Sequence, residues 1–151
     1  MSDQEDCIFC RIVAGKLPAQ IIHQDQLTVA FMDINPATRG HALVITRAHY
    51  ANLLELPDRE LHAAAETARE LARRMRSGLE ADGVNILSST GAAAWQTVFH
   101  FHIHVIPRYK DDPLRLPWLP AAGDSDQIAQ AAQALRQQDG RFASQMCSER
   151  Q

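Results

Sequence analysis

The chain has 151 residues, of which 46% are hydrophobic and 22% are charged, a composition typical of one globular domain in water. The formal net charge is −3, which disfavours partners such as nucleic-acid polymers or an anionic membrane surface. The longest apolar stretches are far shorter than a membrane span, so no membrane partner is expected.

The start of the chain and its cysteines favour a cytoplasmic location. The first residues, MSDQEDC, are acidic and lack the basic and apolar regions of a secretory signal. The three cysteines, Cys7, Cys10 and Cys147, are an odd number and make a poor disulfide framework. We therefore expect a reduced, cytoplasmic protein, in which Cys7-x-x-Cys10 indicates metal or redox chemistry more often than cross-linking.

In chain order, the predicted elements are two strands, a main helix, two further strands and a short helix. The predicted strands cover 27–33, 41–47, 84–89 and 97–107. Apolar residues at helical spacing predict the main helix over 57–79, ended by Gly78 or Gly83. A short helix is predicted at roughly 125–138. Because strands and helices do not alternate, the pattern favours an α+β domain with an antiparallel sheet.

The last predicted strand contains the stretch HFHIHVI at 100–106. Alternate side chains of a strand share a face, so His100, His102 and His104 should point to one side. The apolar residues between them are expected to face a core: Phe99, Phe101, Ile103 and Val105. A strand rises about 3.3 Å per residue, so the outer histidines start about 13 Å apart and cannot share one metal ion with the middle one.

A central histidine with two helpers suits phosphoryl or nucleotidyl transfer. Neutral imidazole is a good nucleophile near pH 7, and neighbouring imidazoles can donate hydrogen bonds to a charged phosphate. The intermediate would be a phosphoramidate that water then hydrolyses. The residue chemistry therefore predicts a histidine nucleophile on this strand.

The run of histidines matches the His-x-His-x-His-x-x motif of the HIT (histidine triad) superfamily. Three blocks, CIFCRIVAGKLPAQIIHQD, AFMDINPATRGHALVITRAHY and DGVNIL, resemble its bacterial Hint-like branch in the same order. The resemblance implies a HIT fold of the α+β class: an antiparallel sheet of about five strands, one main helix and a short C-terminal helix. We expect a single HIT domain over 1–151, with the motifs in about 7–108 and a C-terminal extension over 111–151.

The resemblance also implies a role for each matching residue. His102 is expected to attack the α-phosphate of a nucleotide and to form a covalent nucleotidyl-histidine. His104 is expected to contact the phosphate, His41 to support the site, and Asp33 to hold the ribose hydroxyls. The positions expected at the phosphate or the leaving group are Ser89, Gln96 and Thr97. The positions that match an apolar base pocket, although a plain core would explain them equally well, are Phe9, Ile12, Phe31 and Ile34.

Two positions depart from the family pattern, and both bear on the leaving group and the rate. Trp95 stands where the family usually has Gly, and Ser89 stands where it usually has Asn.

The function that the resemblance implies is hydrolysis or transfer on purine nucleoside phosphoramidates, with AMP as the nucleotide product. The alternatives are a Fhit-like dinucleoside polyphosphate hydrolase and a nucleotide-binding regulator with little turnover.

The cysteine pair has the spacing of one half of a zinc site. Taken alone, Cys7 and Cys10 are equally compatible with plain cysteines. In Hint-like proteins that keep this pair, the positions of His49 and His100 complete a Cys2His2 site. The resemblance therefore implies one structural zinc ion per chain.

The resemblance further implies a homodimer built through the helix and one edge of the sheet. An alanine stripe on the predicted helix would allow close approach of a second helix, and core packing explains it about equally well: Ala64, Ala65, Ala68 and Ala72. An open edge strand also favours pairing with a second copy.

Overall fold

A computed structural model describes residues 6–137 of the chain. The contacts divide the chain into two compact units, Met1–Leu114 and Arg115–Gln151. The first unit contains a five-stranded antiparallel sheet, which confirms the predicted α+β fold class. The predicted single domain over 1–151 stays a prediction.

The sheet has the strand order β1-β2-β3-β5-β4. Its strands are β1 (Ile21–Gln24), β2 (Thr28–Met32), β3 (Ala42–Thr46), β4 (Gly83–Leu87) and β5 (His102–Arg108). Four of them lie within a residue or two of the strands predicted at their positions, except at the start of β5. The short edge strand β1 was not predicted, because IIHQ offers only two adjacent apolar residues and no alternation.

Three α-helices lie within the described residues: α1 (Ile8–Val13), α2 (Asp58–Gly78) and, in the second unit, α3 (Ser125–Gln137). Short 3-10 turns cover Leu53–Glu55 and Ala92–Ala94. The prediction for α3 is confirmed as far as residue 137, since residue 138 lies outside the described residues. None of these helices combines the length and apolar character needed to cross a bilayer.

Helix α2 matches the predicted main helix almost residue for residue. Asp58 and Glu60 lie in its first turn, where carboxylates interact favourably with the helix dipole. The helix ends at Gly78, one of the two glycines predicted to end it, and the left-handed residue that follows is Glu80, with a φ of +55°.

The two faces of the sheet pack against different helices. Helix α2 packs with Ala64, Ala68 and other buried residues against the face that carries Val44, Ile103 and Val105. The alanine stripe thus belongs largely to the core of the chain itself. Helix α1 covers the opposite face through a second apolar cluster: Phe9, Val29, Phe31, Leu43 and Ile45.

Strand β5 begins at His102, five residues later than predicted. Residues 97–101 leave the sheet, because the backbone N–H of Phe101 donates to the carbonyl of Tyr50 (2.7 Å) instead of to a neighbouring strand. Phe101 is nonetheless buried, as are Ile103 and Val105, but Phe99 is 52% exposed. The prediction that Phe99 faces the core was therefore wrong.

Candidate active site and metal centre

The histidine face of β5 is the face that α1 covers. His102 lies opposite Ile45 of β3 and His104 lies opposite Leu43, so both imidazoles share a side with the second apolar cluster. His100 precedes the strand, yet it is fully buried, and His102 is only 4% exposed. The predicted shared face is confirmed for His102 and His104, which both lie in β5. The ring of His100, which precedes the strand, belongs to a separate Cys/His cluster described below.

The proton positions of His102 follow from its backbone contact. Its Nδ1 lies 2.7 Å from the carbonyl oxygen of His100, and a carbonyl can only accept, so Nδ1 carries the proton. The Nε2 atom then holds a lone pair. Burial lowers the pKa of His102, which favours the neutral ring. Ser88 supports this geometry, since its hydroxyl donates to the His102 carbonyl (2.7 Å).

His41 and His104 form a second hydrogen-bonded pair beside His102. The backbone N–H of Ala37 donates to Nδ1 of His41 (3.1 Å), so His41 carries its proton on Nε2. That proton faces Nδ1 of His104 (2.9 Å), with Oδ2 of Asp33 at 3.6 Å from the same Nε2. His104 therefore keeps its own proton on Nε2, where it can donate to a bound anion.

Burial keeps this pair neutral. It lowers the pKa of His41, although the nearby charge of Asp33 acts in the opposite direction. Burial, together with the neighbouring His102 and His41, lowers the pKa of His104 to about 4. Near neutral pH, the site thus offers one lone pair and one N–H donor from uncharged rings.

A cleft of about 540 Å³ opens in front of His102 and His104. All four predicted base-pocket residues line it, as do Asp33 and Thr97: Phe9, Ile12, Phe31 and Ile34. Phe9 lines the cleft between His102 and Phe31, with its ring centroid 5.3 Å from that of His102 and 5.6 Å from that of Phe31. Ile34 is 89% exposed and therefore lies at the rim.

Gln96 and Ser89 do not line this cleft. Gln96 is 4% exposed, and its amide is used within the chain: it donates to the carbonyls of Ala51 (2.6 Å) and Val98 (3.1 Å) and accepts from the N–H of Gly91 (2.8 Å). Gln96 thus links the loop before β5 to the loop after β3 by hydrogen bonds.

The sequence analysis did not predict that Ser88 supports His102, because a serine at the end of a strand has no distinguishing pattern.

Trp95 closes the 3-10 turn in this loop. Its φ is +69°, in the left-handed region that favours glycine, and its side chain is 72% exposed. The backbone therefore adopts the conformation for which the resemblance expects Gly, with an indole ring projecting from it.

The four predicted metal ligands converge on the other side of Phe9. One donor atom from each of Cys7, Cys10, His49 and His100 lies within 4.8 Å of the other three. Nδ1 of His100 is 3.4 Å from Sγ of Cys7 and 3.5 Å from Sγ of Cys10, and Nδ1 of His49 is 3.3 Å from Sγ of Cys10. In tetrahedral zinc sites, neighbouring ligand atoms lie roughly 3.3–3.8 Å apart, so the donor set fits that ion.

The protonation of His100 also suits a cation. Nε2 of His100 donates to the carbonyl of Thr46 (2.8 Å), which leaves the Nδ1 lone pair facing the two sulfur atoms. Burial lowers the pKa of His100 to about 4, so the ring is neutral. Burial and the adjacent Cys7 raise the pKa of the Cys10 thiol to about 11. Cys147 lies outside the described residues.

Comparisons with known proteins identify the family to which the chain belongs. Residues 14–111 match the HIT domain family. The chain is 40% identical to "Protein hit" of Bacillus subtilis over 121 residues, 80% of this chain and 83% of that protein. It is 36% identical to the adenylylsulfatase HINT3 of Arabidopsis thaliana over 111 residues, 74% of this chain and 56% of that protein.

A solved structure extends the comparison to the fold. A zinc-bound histidine triad family protein from Mycobacterium smegmatis is 40% identical, with a TM-score of 0.71 over 89% of this chain and 98% of that one. The family match covers well over half of the chain, and it includes the whole sheet. The chain therefore belongs to the HIT domain family, whose members are generally nucleotide hydrolases or transferases.

Proposed function

We propose that the chain hydrolyses purine nucleoside phosphoramidates and releases AMP. The observation that carries this proposal is the hydrogen bond from Nδ1 of His102 to the His100 carbonyl (2.7 Å). It leaves the Nε2 lone pair of a neutral imidazole on the residue that lines the cleft beside His104. Such a group is a nucleophile for phosphorus near neutral pH.

The proposed reaction has two displacement steps. In the first, Nε2 of His102 bonds to the α-phosphorus, the phosphorus–nitrogen bond of the substrate breaks, and the departing amine takes up a proton from solvent. In the second, water attacks the nucleotidyl-histidine, the phosphorus–Nε2 bond breaks, a proton of the water passes to solvent, and AMP leaves with His102 neutral again. The Nε2–H of His104 donates to the phosphate oxygens, where it stabilises their negative charge.

The cleft supplies the proposed binding contacts. Its volume of about 540 Å³ falls within the range of roughly 300–1,000 Å³ typical of small-molecule sites. The apolar wall formed by Phe9, Ile12 and Phe31 would take the purine base, with Ile34 at the rim. Asp33 would accept hydrogen bonds from the ribose hydroxyls, and Thr97 would contact the phosphate.

We further propose one structural zinc ion per chain, bound by Cys7, Cys10, His49 and His100. Four protein ligands leave no position for a substrate or a water molecule, so the ion would stabilise the fold and take no part in the reaction. Helix α1 carries Cys10 and Phe9, and Cys7 is its N-cap residue. Zinc would therefore hold the wall of the proposed base pocket against His100 and His102.

We also propose a homodimer that forms through strand β4. This strand is at the edge of the sheet, and it exposes Ile86 by 51% and Leu87 by 43%. An apolar edge strand is an aggregation hazard unless it is covered, which favours pairing with a second copy. The molar mass in solution at micromolar concentration tests this, and a monomer would contradict it.

A substrate panel distinguishes the proposal from its alternatives. The panel contains an adenosine phosphoramidate, diadenosine polyphosphates and adenylyl sulfate, the last because a relative is named an adenylylsulfatase. We expect the largest kcat/KM for the phosphoramidate, and a higher value for a diadenosine polyphosphate would favour the Fhit-like alternative. Tight binding of AMP with no turnover of any compound would favour a regulator, a reading suggested by Trp95 and Ser89.

A further inference from the structure

Thr46, the last residue of β3, contacts the metal centre without being a ligand. It is fully buried. Its backbone carbonyl accepts the Nε2 proton of His100 (2.8 Å), and its hydroxyl donates to the carbonyl of Ala48 (2.8 Å). Thr46 therefore bonds to one histidine of the cluster directly and to the residue that precedes the other, His49.

The carbonyl contact determines which nitrogen of His100 is available. Because a carbonyl accepts only, the bond fixes the proton on Nε2 and leaves the lone pair on Nδ1. Nδ1 is the atom that lies within 3.5 Å of both cysteine sulfurs. A bond from Nε2 to an outer partner also fixes the orientation of a ligating ring.

The hydroxyl contact determines the path of the chain to His49. The bond from Thr46 to Ala48 closes a tight turn directly after β3, and His49 is the next residue. Nδ1 of His49 then lies 3.3 Å from Sγ of Cys10. Without the hydroxyl, the Ala48 carbonyl would lose this donor, and the turn that leads to His49 would lose one constraint.

We propose that Thr46 is a positioning residue for the metal centre, since it orients His100 through its carbonyl and His49 through its hydroxyl. This inference rests on the proposed zinc site and not on the proposed hydrolysis. A substitution at Thr46 can remove the hydroxyl contact alone, because the carbonyl that accepts from His100 belongs to the backbone.

Thr28 provides a matched control. It is the direct partner of Thr46 in the β2–β3 register, and it is equally buried. Its hydroxyl bonds to Asp25 (3.0 Å) and Thr67 (2.9 Å), so it has no contact with the metal cluster. Replacing Thr28 by Val therefore removes a buried hydroxyl from the same sheet without touching a ligand.

The experiment measures zinc affinity by competition with a chromophoric chelator in the full-length chain. Thr46→Val keeps the carbonyl contact to His100 and removes only the hydroxyl bond to Ala48, so we expect it to bind zinc about 2- to 10-fold more weakly. Thr46→Ser should regain most of the affinity, and Thr28→Val should match the wild type. The visible absorption of bound Co²⁺ adds a readout of geometry. Its tetrahedral bands should be weakened in Thr46→Val only.

Thr46→Val with wild-type affinity would overturn the inference while leaving the zinc site intact. A wild-type chain that binds no zinc would overturn both. If Thr46→Val does not fold, the wild type loaded with ¹¹³Cd provides the test by NMR. Coupling of the metal to Nδ1 of His100 supports the inference, and coupling to Nε2 contradicts it.

Discussion

The metal cluster and the cleft place neighbouring histidines of one chain segment in opposite orientations. His100 gives its Nε2 proton to the Thr46 carbonyl and presents Nδ1, whereas His102 gives its Nδ1 proton to the His100 carbonyl and presents Nε2. The first lone pair faces two sulfur atoms, and the second belongs to a ring that lines an open cleft. Backbone acceptors, and not residue type, thus assign each imidazole its chemistry.

The two regions are also connected. His100, which would bind the metal through its ring, orients His102, the proposed nucleophile, through its carbonyl. Phe9 packs against both rings, with its ring centroid 5.8 Å from that of His100 and 5.3 Å from that of His102. The comparison therefore predicts that the cleft residues control turnover directly, whereas the metal ligands act on stability.

Replacing the nucleophile should have the largest effect. We expect His102→Gly to lower kcat for an adenosine phosphoramidate by on the order of 10³-fold or more, because no other group forms the bond to phosphorus. AMP binding should persist, since the apolar wall and Asp33 remain. Steady-state kinetics and calorimetry measure the two quantities. Turnover near that of the wild type would refute the assigned role.

Breaking the metal cluster should cost stability. At a free zinc concentration about 1,000 times Kd, a bound ion adds about 4 kcal/mol to the free energy of unfolding. We expect Cys10→Ala to lose both the metal and this increment, measured by metal analysis and thermal melts with and without zinc. Cys147→Ala, outside the predicted ligand set, is the control. Unchanged zinc content in Cys10→Ala would remove the proposed site.

The ribose contact should affect substrate binding. We expect Asp33→Asn to raise KM by about tenfold, because hydrogen bonds to charged groups contribute roughly 1.5–3 kcal/mol. The loss of the negative charge near His41 adds a smaller change in kcat. Asp58→Asn, at the start of α2, is a control for the loss of one carboxylate. A variant with an unaltered KM would place the ribose elsewhere.

The smallest effect concerns acid stability. The folded-state pKa of His104 is about 4 and its ordinary value is 6.5. Between these pH values the unfolded chain binds more protons, so stability falls as the pH is lowered from about 6.5 to about 4. The free energy of unfolding of His104→Gln should therefore fall less steeply with decreasing pH in this window. The difference in slope corresponds to the uptake of up to about one proton on unfolding. Parallel slopes in unfolding titrations of the two proteins would contradict the buried, neutral state of His104.

The alternation within HFHIHVI predicted which residues from 101 onward face the core and which face the cleft. It failed at Phe99, because the partner of this segment is the loop at Tyr50 and not a neighbouring strand. The resemblance predicted which side chains form the Cys/His cluster and several of those that line the cleft. It could not indicate the ring protonation states or the inward bonds of Gln96, because the partners are backbone atoms from distant parts of the chain.

The central claim is that Nε2 of His102 forms the covalent bond to the nucleotide. Its most direct test is to quench the wild-type chain during turnover of an adenosine phosphoramidate and to locate the adduct by peptide mass spectrometry. We predict one AMP group per active chain, attached to His102, which forms and decays at rates compatible with kcat. An adduct on His41 or His104, or turnover without any adduct on His102, would contradict the account.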